Sequence, residues 1–203
     1  MLSATEIVDL QDRRTEEWHH VCSWDAEPGG EWIAAVERQH RANFELWHIE
    51  DEARAPGATD AEIAGVKRRI DLANQRRNDL AEELDGMLMA WLEARGLPRP
   101  AAPLHSESPG LMIDRMSILA LKIYHTREQA ERAAAPAGHA ARNLKRLAIL
   151  EEQRADLAGC LDSLWRETLE GTRRFKIYRQ LKMYNDPALN PAIYGKTGRQ
   201  GDR

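Results

Sequence analysis

The chain has 203 residues but only two cysteines, Cys22 and Cys160, which lie far apart and form no CxxC pair. A disulfide scaffold or a Cys-rich zinc module is therefore not expected, and a reduced, cytoplasmic setting is. No apolar run approaches the roughly 18 residues that a membrane span needs. The N-terminus also lacks the basic-then-apolar order of a signal peptide.

The short motifs of common enzyme classes are missing as well. There is no Gly-rich phosphate loop and no GxSxG nucleophile motif. The net charge is −4, so no overall basic field attracts a polyanion, which argues against nucleic acid as a partner. The basic, aromatic stretch over 172–184 is instead interpreted as part of a terminal helix that packs Phe175, Tyr178 and Leu181.

No segment alternates between apolar and polar residues as a strand does. Two capping boxes, Ser3–Glu6 and Thr59–Glu62, and several Pro and Gly breaks divide the chain into helices. The predicted helices cover 5–24, 31–54, 60–95, 109–133 and 139–184. The chain is thus predicted to be all-α, a single-domain helical bundle over 1–190 with a long C-terminal helix, followed by a flexible tail over 191–203.

The second predicted helix has two contrasting faces. One is an ordinary apolar stripe, and the other gathers His40, Asn43, Phe44, Trp47, Asp51 and Arg54. A solvated face seldom carries Phe and Trp, and a buried face seldom carries Asp and Arg unless they are paired. This second face is therefore predicted to form the wall of a polar site or of an internal ion-pair network.

The third and fourth helices show related anomalies. Arg77 falls on the apolar stripe of the third helix, where it needs a carboxylate, a carbonyl or a bound anion beside it. The structural alternative is that Arg77 pairs with Asp51 or Asp114, or extends its charge to solvent.

The fourth helix is apolar almost all the way round, which indicates a central helix. It nevertheless carries Asp114 and His125 on one face and Arg115 and Lys122 on another. Charges on three separate helices favour one shared pocket around Trp47, Arg77 and Asp114, although a buried salt-bridge network would show the same pattern.

A metal site is a weaker interpretation of the same region. Glu45 and His48 form an ExxH pair, but a di-iron bundle needs a second copy, and the sequence has none. A mononuclear site would draw on His40, Asp51 or His125. No metal ligand is assigned from the sequence, and it names no cofactor.

Four segments, 39–54, 66–79, 108–125 and 178–191, resemble the bacterial domain-of-unknown-function 4254 family. They carry the patterns QHxxNFxLWHxED, IDxxNQxRND, PGxxIDRxSILxLKIYH and YRQLKMYNDPxLNP, and Trp18-His19 fits the family's N-terminal part. Members are encoded mainly near glycosyltransferases of the lipopolysaccharide heptosyltransferase type. The resemblance therefore implies a role in surface-glycan assembly, with a glycosyltransferase as a candidate partner, but it implies no established activity.

The leading hypothesis is an interior polar site that binds a small anion such as a nucleotide sugar or sugar phosphate. Cationic side chains would contact the anion, amides would orient it, and an indole would supply a stacking wall. The candidate ligand-binding residues are Asn43, Trp47, Arg54, Asn74, Gln75, Arg77, Asn78, Arg115 and Lys122. If there is chemistry, His40 and Asp51 would form the acid/base pair, with Asp114 and His125 as further catalytic candidates.

Two alternatives remain open at the level of sequence. One is a small all-α enzyme, a lyase, mutase or hydrolase, with or without a metal. The other is a non-catalytic interaction module in which the long last helix, through an apolar stripe over 144–165, forms a homo-oligomer.

Overall fold

The structure, a computed structural model, describes residues 3–20, 29–181 and 188–191. Within these ranges the chain forms five helices and no strand: α1 (Ala4–His20), α2 (Glu31–Glu52), α3 (Asp60–Glu93), α4 (Pro109–Glu131) and α5 (His139–Glu170). The predicted all-α, single-domain bundle is confirmed. The predicted end of the first helix at Trp24 and nearly all of the predicted tail lie outside the described residues.

Local capping signals explain where α1 and α3 begin. The Ser3 Oγ atom accepts a hydrogen bond from the Glu6 N–H (3.2 Å), while the Glu6 carboxylate accepts one from the Ser3 N–H (2.6 Å). Thr59 and Glu62 make the same reciprocal pair at the start of α3. Each box satisfies N–H groups that the first helical turn leaves without intrahelical partners.

Helix α4 begins at Pro109, as predicted, but another helix caps its first turn. Ser108 occupies the N-cap position but makes no capping hydrogen bond with its side chain. The Asp85 carboxylate of α3 takes that role and accepts a hydrogen bond from the Gly110 N–H (2.6 Å). Burial raises the pKa of Asp85 to about 6. Helices α3 and α4 are therefore joined at the first turn of α4.

The predicted central position of α4 is confirmed, because it packs against each of the other four helices. Met112 and Met116 are almost fully buried and belong to the main core. That core takes Ile7 from α1, Leu84 from α3 and Leu161 from α5. A second, smaller apolar cluster consists of Trp18, Phe44 and Leu121, and Trp47 packs against it.

The prediction that the last helix continues to about Tyr184 is wrong. Helix α5 ends at Glu170, where Gly171 adopts a left-handed conformation (φ 72°) and its N–H bonds to the Glu167 and Thr168 carbonyls. Glycine adopts this conformation without steric cost and commonly ends helices in this way. The chain then runs extended, and the Arg174 N–H bonds to the Pro103 carbonyl (3.0 Å).

Phe175 anchors that extended segment. Its side chain is 1% exposed and packs with Leu88 and Leu92 of α3. The expectation that Phe175 packs into the protein is therefore confirmed. Tyr178 and Leu181, by contrast, are exposed. Lys176 and Arg179 are exposed, whereas Arg174 donates a hydrogen bond from Nε to the Ala102 carbonyl.

Two further observations concern the surface. Leu144 and Ile149 of α5 are exposed, but at 3.6 residues per turn they lie about 140° apart and form no single apolar stripe. The homo-oligomer stays a prediction.

None of the helices in the described ranges has the length and apolar character needed to cross a bilayer.

Candidate functional site

A buried polar network joins α2 to α4. The Oδ1 atom of Asp114 accepts hydrogen bonds from the side-chain amides of Gln39 (2.6 Å) and Asn43 (2.9 Å). The Asn43 amide also donates to the Ser117 hydroxyl (2.9 Å). Asn43 belongs to the face of α2 that the sequence singles out, whereas Gln39 was not predicted to take part.

His40 completes this network as a core residue. Its Nε2 atom lies 3.0 Å from the Thr15 hydroxyl and its Nδ1 atom 2.7 Å from the Ser117 hydroxyl. Its side chain is fully buried and stacks against Trp18. Burial lowers the pKa of His40 to about 3, so the imidazole is neutral.

The structure does not bring His40 and Asp51 together as an acid/base pair. They are eleven positions apart on α2, which is about three helical turns. Asp51 is exposed, whereas both ring nitrogens of His40 are engaged in the core. A helix that places two residues on one face can still separate them by most of its length.

Arg77 reaches Asp114 from α3. Its Nη1 atom lies 3.6 Å from Asp114 Oδ2, which confirms the predicted pairing with Asp114. Burial raises the pKa of the Asp114 carboxyl group above its ordinary value, while the charge of Arg77 and the two amides act in the opposite direction. Asp114 thus connects α2, α3 and α4.

A pocket of about 340 Å³ is lined by Trp47 and Arg77 but not by Asp114, so only two of the three residues predicted to surround one pocket line it. Residues of α2 and α4 form most of its wall, with the guanidinium of Arg77 from α3 and the side chain of Arg54 just beyond the end of α2. The lining residues are Asn43, Leu46, Trp47, Glu50, Asp51, Arg54, Arg77, Ile118, Leu121 and Lys122. The volume lies at the lower end of the range for small-molecule sites.

The three cations of the pocket differ in how they are paired. Arg54 is held by Glu50, with 2.9 Å between Nη2 and Oε2. Lys122 is exposed and forms no ion pair with any described residue. Arg77 makes only its long ion pair with Asp114, and its Nε atom is buried without a hydrogen bond to the described residues.

Several predicted ligand-binding residues lie elsewhere. Arg115 is exposed, forms an ion pair with Glu107 (2.7 Å) and lines a different pocket, between α4 and α5. The amide of Gln75 donates to Asp79 on its own helix (2.7 Å). Asn74 and the buried Asn78 are on α3 but do not line the Trp47 pocket. Asn78 lies about 100° from Arg77 around α3, whereas Asn74, three positions before Arg77, shares its side of the helix without reaching the pocket.

Trp47 connects the pocket to a second feature. Its indole lines the pocket and also stacks on the imidazole of His125, with ring centroids 4.8 Å apart and an interplanar angle of 6°. Beyond His125 lie two more imidazoles, His19 of α1 and His48 of α2. One ring nitrogen of each histidine lies within 4.8 Å of those of the other two, an arrangement that could hold a metal ion.

Aromatic neighbours surround these three histidines. The rings of His19 and Tyr124 stack, with their centroids 4.1 Å apart. Phe44 makes T-shaped contacts with both His19 and His48. Burial lowers the pKa of His19 and of His48, and each is lowered further by the other histidines. Burial among aromatic rings therefore disfavours the charged form of His19 and of His48.

Sequence reasoning identifies His125 but misses His19 and His48 as its neighbours. His48 is part of the ExxH pair, yet its companion is not Glu45, which is tied to Arg41 and Arg76. The signal that could have found the cluster is one histidine on each of three helices, near the end of α1, α2 and α4. Only the packing of α1 against α2 and α4 brings them to one place.

Comparison with known proteins identifies a family. A family model described as a protein of unknown function (DUF4254) matches residues 33–177, which include Trp47, Arg77, Asp114 and His125 but not α1. No curated protein and no solved structure matches the chain. Since the match extends over well more than half of the sequence, the chain belongs to the DUF4254 family.

Proposed function

We propose that this protein binds a small anionic molecule, a sugar phosphate or a nucleotide sugar, in the pocket between α2, α3 and α4. The observation that carries the proposal is the state of Arg77. A guanidinium has five N–H donors in a planar fork, and buried donors are almost always hydrogen-bonded. Arg77 is largely buried at the pocket, yet it makes no hydrogen bond to a described residue.

Asp114 is a poor sole partner for Arg77. At 3.6 Å the contact between Nη1 and Oδ2 is an ion pair but too long for a good hydrogen bond. The other carboxylate oxygen is already engaged by Gln39 and Asn43. A phosphate entering the pocket would meet the outward donors of Arg77 and accept the paired hydrogen bonds that guanidinium groups favour.

Two further side chains suit such a ligand. Lys122 supplies an ammonium group with no competing ion pair among the described residues. Trp47 supplies an aromatic wall against which a sugar or a base can pack. The volume of about 340 Å³ matches a sugar phosphate, and a nucleotide sugar would extend beyond the pocket mouth. We place this activity in the cytoplasm, in support of bacterial surface-glycan synthesis beside a glycosyltransferase.

The experiment is a calorimetric titration of the full chain with glucose 1-phosphate and UDP-glucose. The Arg77→Met variant should weaken binding by at least about 10-fold, because hydrogen bonds to a charged group contribute about 1.5–3 kcal/mol each. Arg76→Met is the matched control, since Arg76 is its exposed neighbour and pairs with Glu45. Equal affinities for the two variants, or no binding by the unaltered chain, would contradict the proposal.

An enzyme is the second candidate, and the Trp47–His125 stack favours it. This contact places a histidine cluster directly behind the wall of the pocket. Turnover of a sugar phosphate that is lost in His125→Gln while binding persists would support catalysis. Binding without turnover leaves the first proposal in place and rejects the second.

A further inference from the structure

The strongest feature outside the anion pocket is the cluster of His19, His48 and His125. Three separate helices, α1, α2 and α4, each contribute one imidazole. The ring centroids lie 4.9 Å apart for His19 and His125 and 5.2 Å apart for His19 and His48. Three chemically identical ligands thus converge on one point in a protein with only seven histidines.

The outer ring nitrogens of two of these histidines are fixed by acceptors. His19 Nδ1 lies 2.6 Å from the Thr15 carbonyl oxygen, and His125 Nδ1 lies 2.8 Å from a carboxylate oxygen of Glu128. A carbonyl or an ionised carboxylate can only accept, so in each case Nδ1 carries the proton and donates it. The Nε2 atoms of both rings are then unprotonated, and each carries a lone pair.

Those Nε2 atoms point into the protein. The Nε2 atoms of His19, His48 and His125 are all buried, and none makes a hydrogen bond to a described residue. Three buried polar atoms without hydrogen-bond partners are costly, because a buried polar group that lacks a partner loses the solvation it had in water. A proton on one Nε2 atom could satisfy at most one of the other two, so part of the cost would remain.

A metal ion would satisfy all three nitrogens together. Imidazole is a preferred ligand of Zn²⁺, and catalytic zinc sites often use three protein ligands with a fourth position left open. Zn–N bonds of about 2.0–2.1 Å at tetrahedral angles place ligating nitrogens about 3.4 Å apart. The present spacing, within 4.8 Å, differs from that by an amount that small rotations of the rings can close.

The surroundings fit a metal site as well. Histidine ligands usually donate their second N–H to a carboxylate or a backbone carbonyl, which fixes the ring and strengthens the ligand. Glu128 and the Thr15 carbonyl stand in those positions behind His125 and His19. The aromatic rings of Phe44 and Tyr124 flank His19 and restrict its orientation.

We propose that His19, His48 and His125 bind one divalent transition-metal ion, Zn²⁺ in the first place, through their Nε2 atoms. The site is distinct from the anion contacts of Arg77 and Lys122 and does not depend on them. Trp47 packs between the two, so a metal held here would lie directly behind the wall of the pocket.

The test uses the untagged full chain after removal of bound metal by a chelator. Titration with Zn²⁺ alone, followed by calorimetry, should show a single equivalent bound. Each of His19→Gln, His48→Gln and His125→Gln should weaken binding by at least about 100-fold, since even residues behind the ligands contribute 10–100-fold. His20→Gln is the matched control, because His20 is exposed on α1 and pairs only with Glu16.

A second measurement keeps the proposal testable if a variant fails to fold. X-ray absorption at the zinc edge of the unaltered, Zn²⁺-loaded chain should show three imidazole ligands. Oxygen ligands alone, no Zn²⁺ uptake, or uptake unchanged in the three folded variants would overturn the proposal. The cluster would then be part of the aromatic packing between α1, α2 and α4, and the anion pocket would be tested separately by its own titration.

Discussion

The Arg77 guanidinium lies 3.6 Å from Asp114 Oδ2, while the other oxygen of Asp114 accepts two shorter hydrogen bonds from α2. Asp114 is therefore held firmly by Gln39 and Asn43 and only loosely by Arg77. This asymmetry separates two roles that a buried ion pair often combines. The amides and Asp114 stabilise the bundle, and the guanidinium stays available to a ligand.

Replacing Asp114 should therefore destabilise the fold strongly. Asp114→Ala leaves Arg77 without its carboxylate and the buried Gln39 amide without its acceptor, while Asn43 keeps only its hydrogen bond to Ser117. Removing one partner of a buried pair costs about 3–5 kcal/mol. Urea unfolding followed by circular dichroism should show a loss of that size. Asp79→Ala, at an exposed position of α3, should lose less than about 1 kcal/mol, and a similar loss for both variants would contradict the role given to Asp114.

The burial of His40 is expected to make the stability of the protein depend on pH. The pKa of His40 falls from its ordinary value of 6.5 to about 3 in the folded protein, because burial disfavours the charged ring. Between these values the unfolded chain binds a proton that the folded chain does not. The contribution of His40 to the free energy of unfolding is therefore fully present above pH 6.5. Below pH 6.5 it falls by about 1.4 kcal/mol for each unit by which the pH is lowered.

The measurement for His40 is urea unfolding at several pH values between 6.5 and 4. His40→Gln should be less stable at neutral pH but should lack this part of the acid sensitivity. Other groups titrate in the same range, and Asp85, whose pKa is raised in the fold, changes the stability in the opposite direction. The quantity to compare is therefore the slope of the free energy of unfolding against pH in the unaltered chain and in His40→Gln. Parallel slopes would show that His40 is not buried in its neutral form.

Gly110 should tolerate no side chain. A Cβ atom there would lie 2.3 Å from the Ala81 carbonyl oxygen and 2.8 Å from Asp85 Cγ. The contact would force α3 and α4 apart at the point where Asp85 caps α4. Gly110→Ala is expected to lower the free energy of unfolding by about 1–3 kcal/mol or more, as measured by thermal or urea unfolding.

Gly86 supplies a control of opposite sign. It lies within α3, and a Cβ atom built there meets nothing within 4 Å. Gly86→Ala should stabilise the protein by about 0.5–1 kcal/mol, because alanine loses less conformational entropy than glycine in a helix. A loss at Gly86 as large as that at Gly110 would contradict the close approach of α3 and α4.

The helices could be predicted well because their signals are local. The capping boxes at Ser3 and Thr59 and the apolar periodicity depend on residues a few positions apart. The end of α5 could not be read in this way. The helical spacing of Phe175, Tyr178 and Leu181 favours continuation past Gly171. Tertiary contacts of Phe175 with α3 override that spacing.

The candidate site was predictable only in part for a related reason. Arg77 and Asp114 stand out because charge on an apolar stripe is anomalous in any fold. His40 stands out as part of the second face of α2, yet its hydroxyl partners Thr15 and Ser117 lie on other helices and make it a core residue. His19 shows no anomaly on α1, so its place beside His125 depends on how the helices pack.

The most direct test of the central claim observes Arg77 itself. The Arg77 Nε–H resonance in an ¹⁵N-labelled full chain, assigned by its loss in Arg77→Lys, is followed while glucose 1-phosphate is added. Because this N–H is buried at the pocket without a hydrogen bond to the described residues, it should shift progressively and saturate as the phosphate binds. A resonance that stays in place at saturating ligand would contradict the assignment of the Arg77 pocket as an anion site.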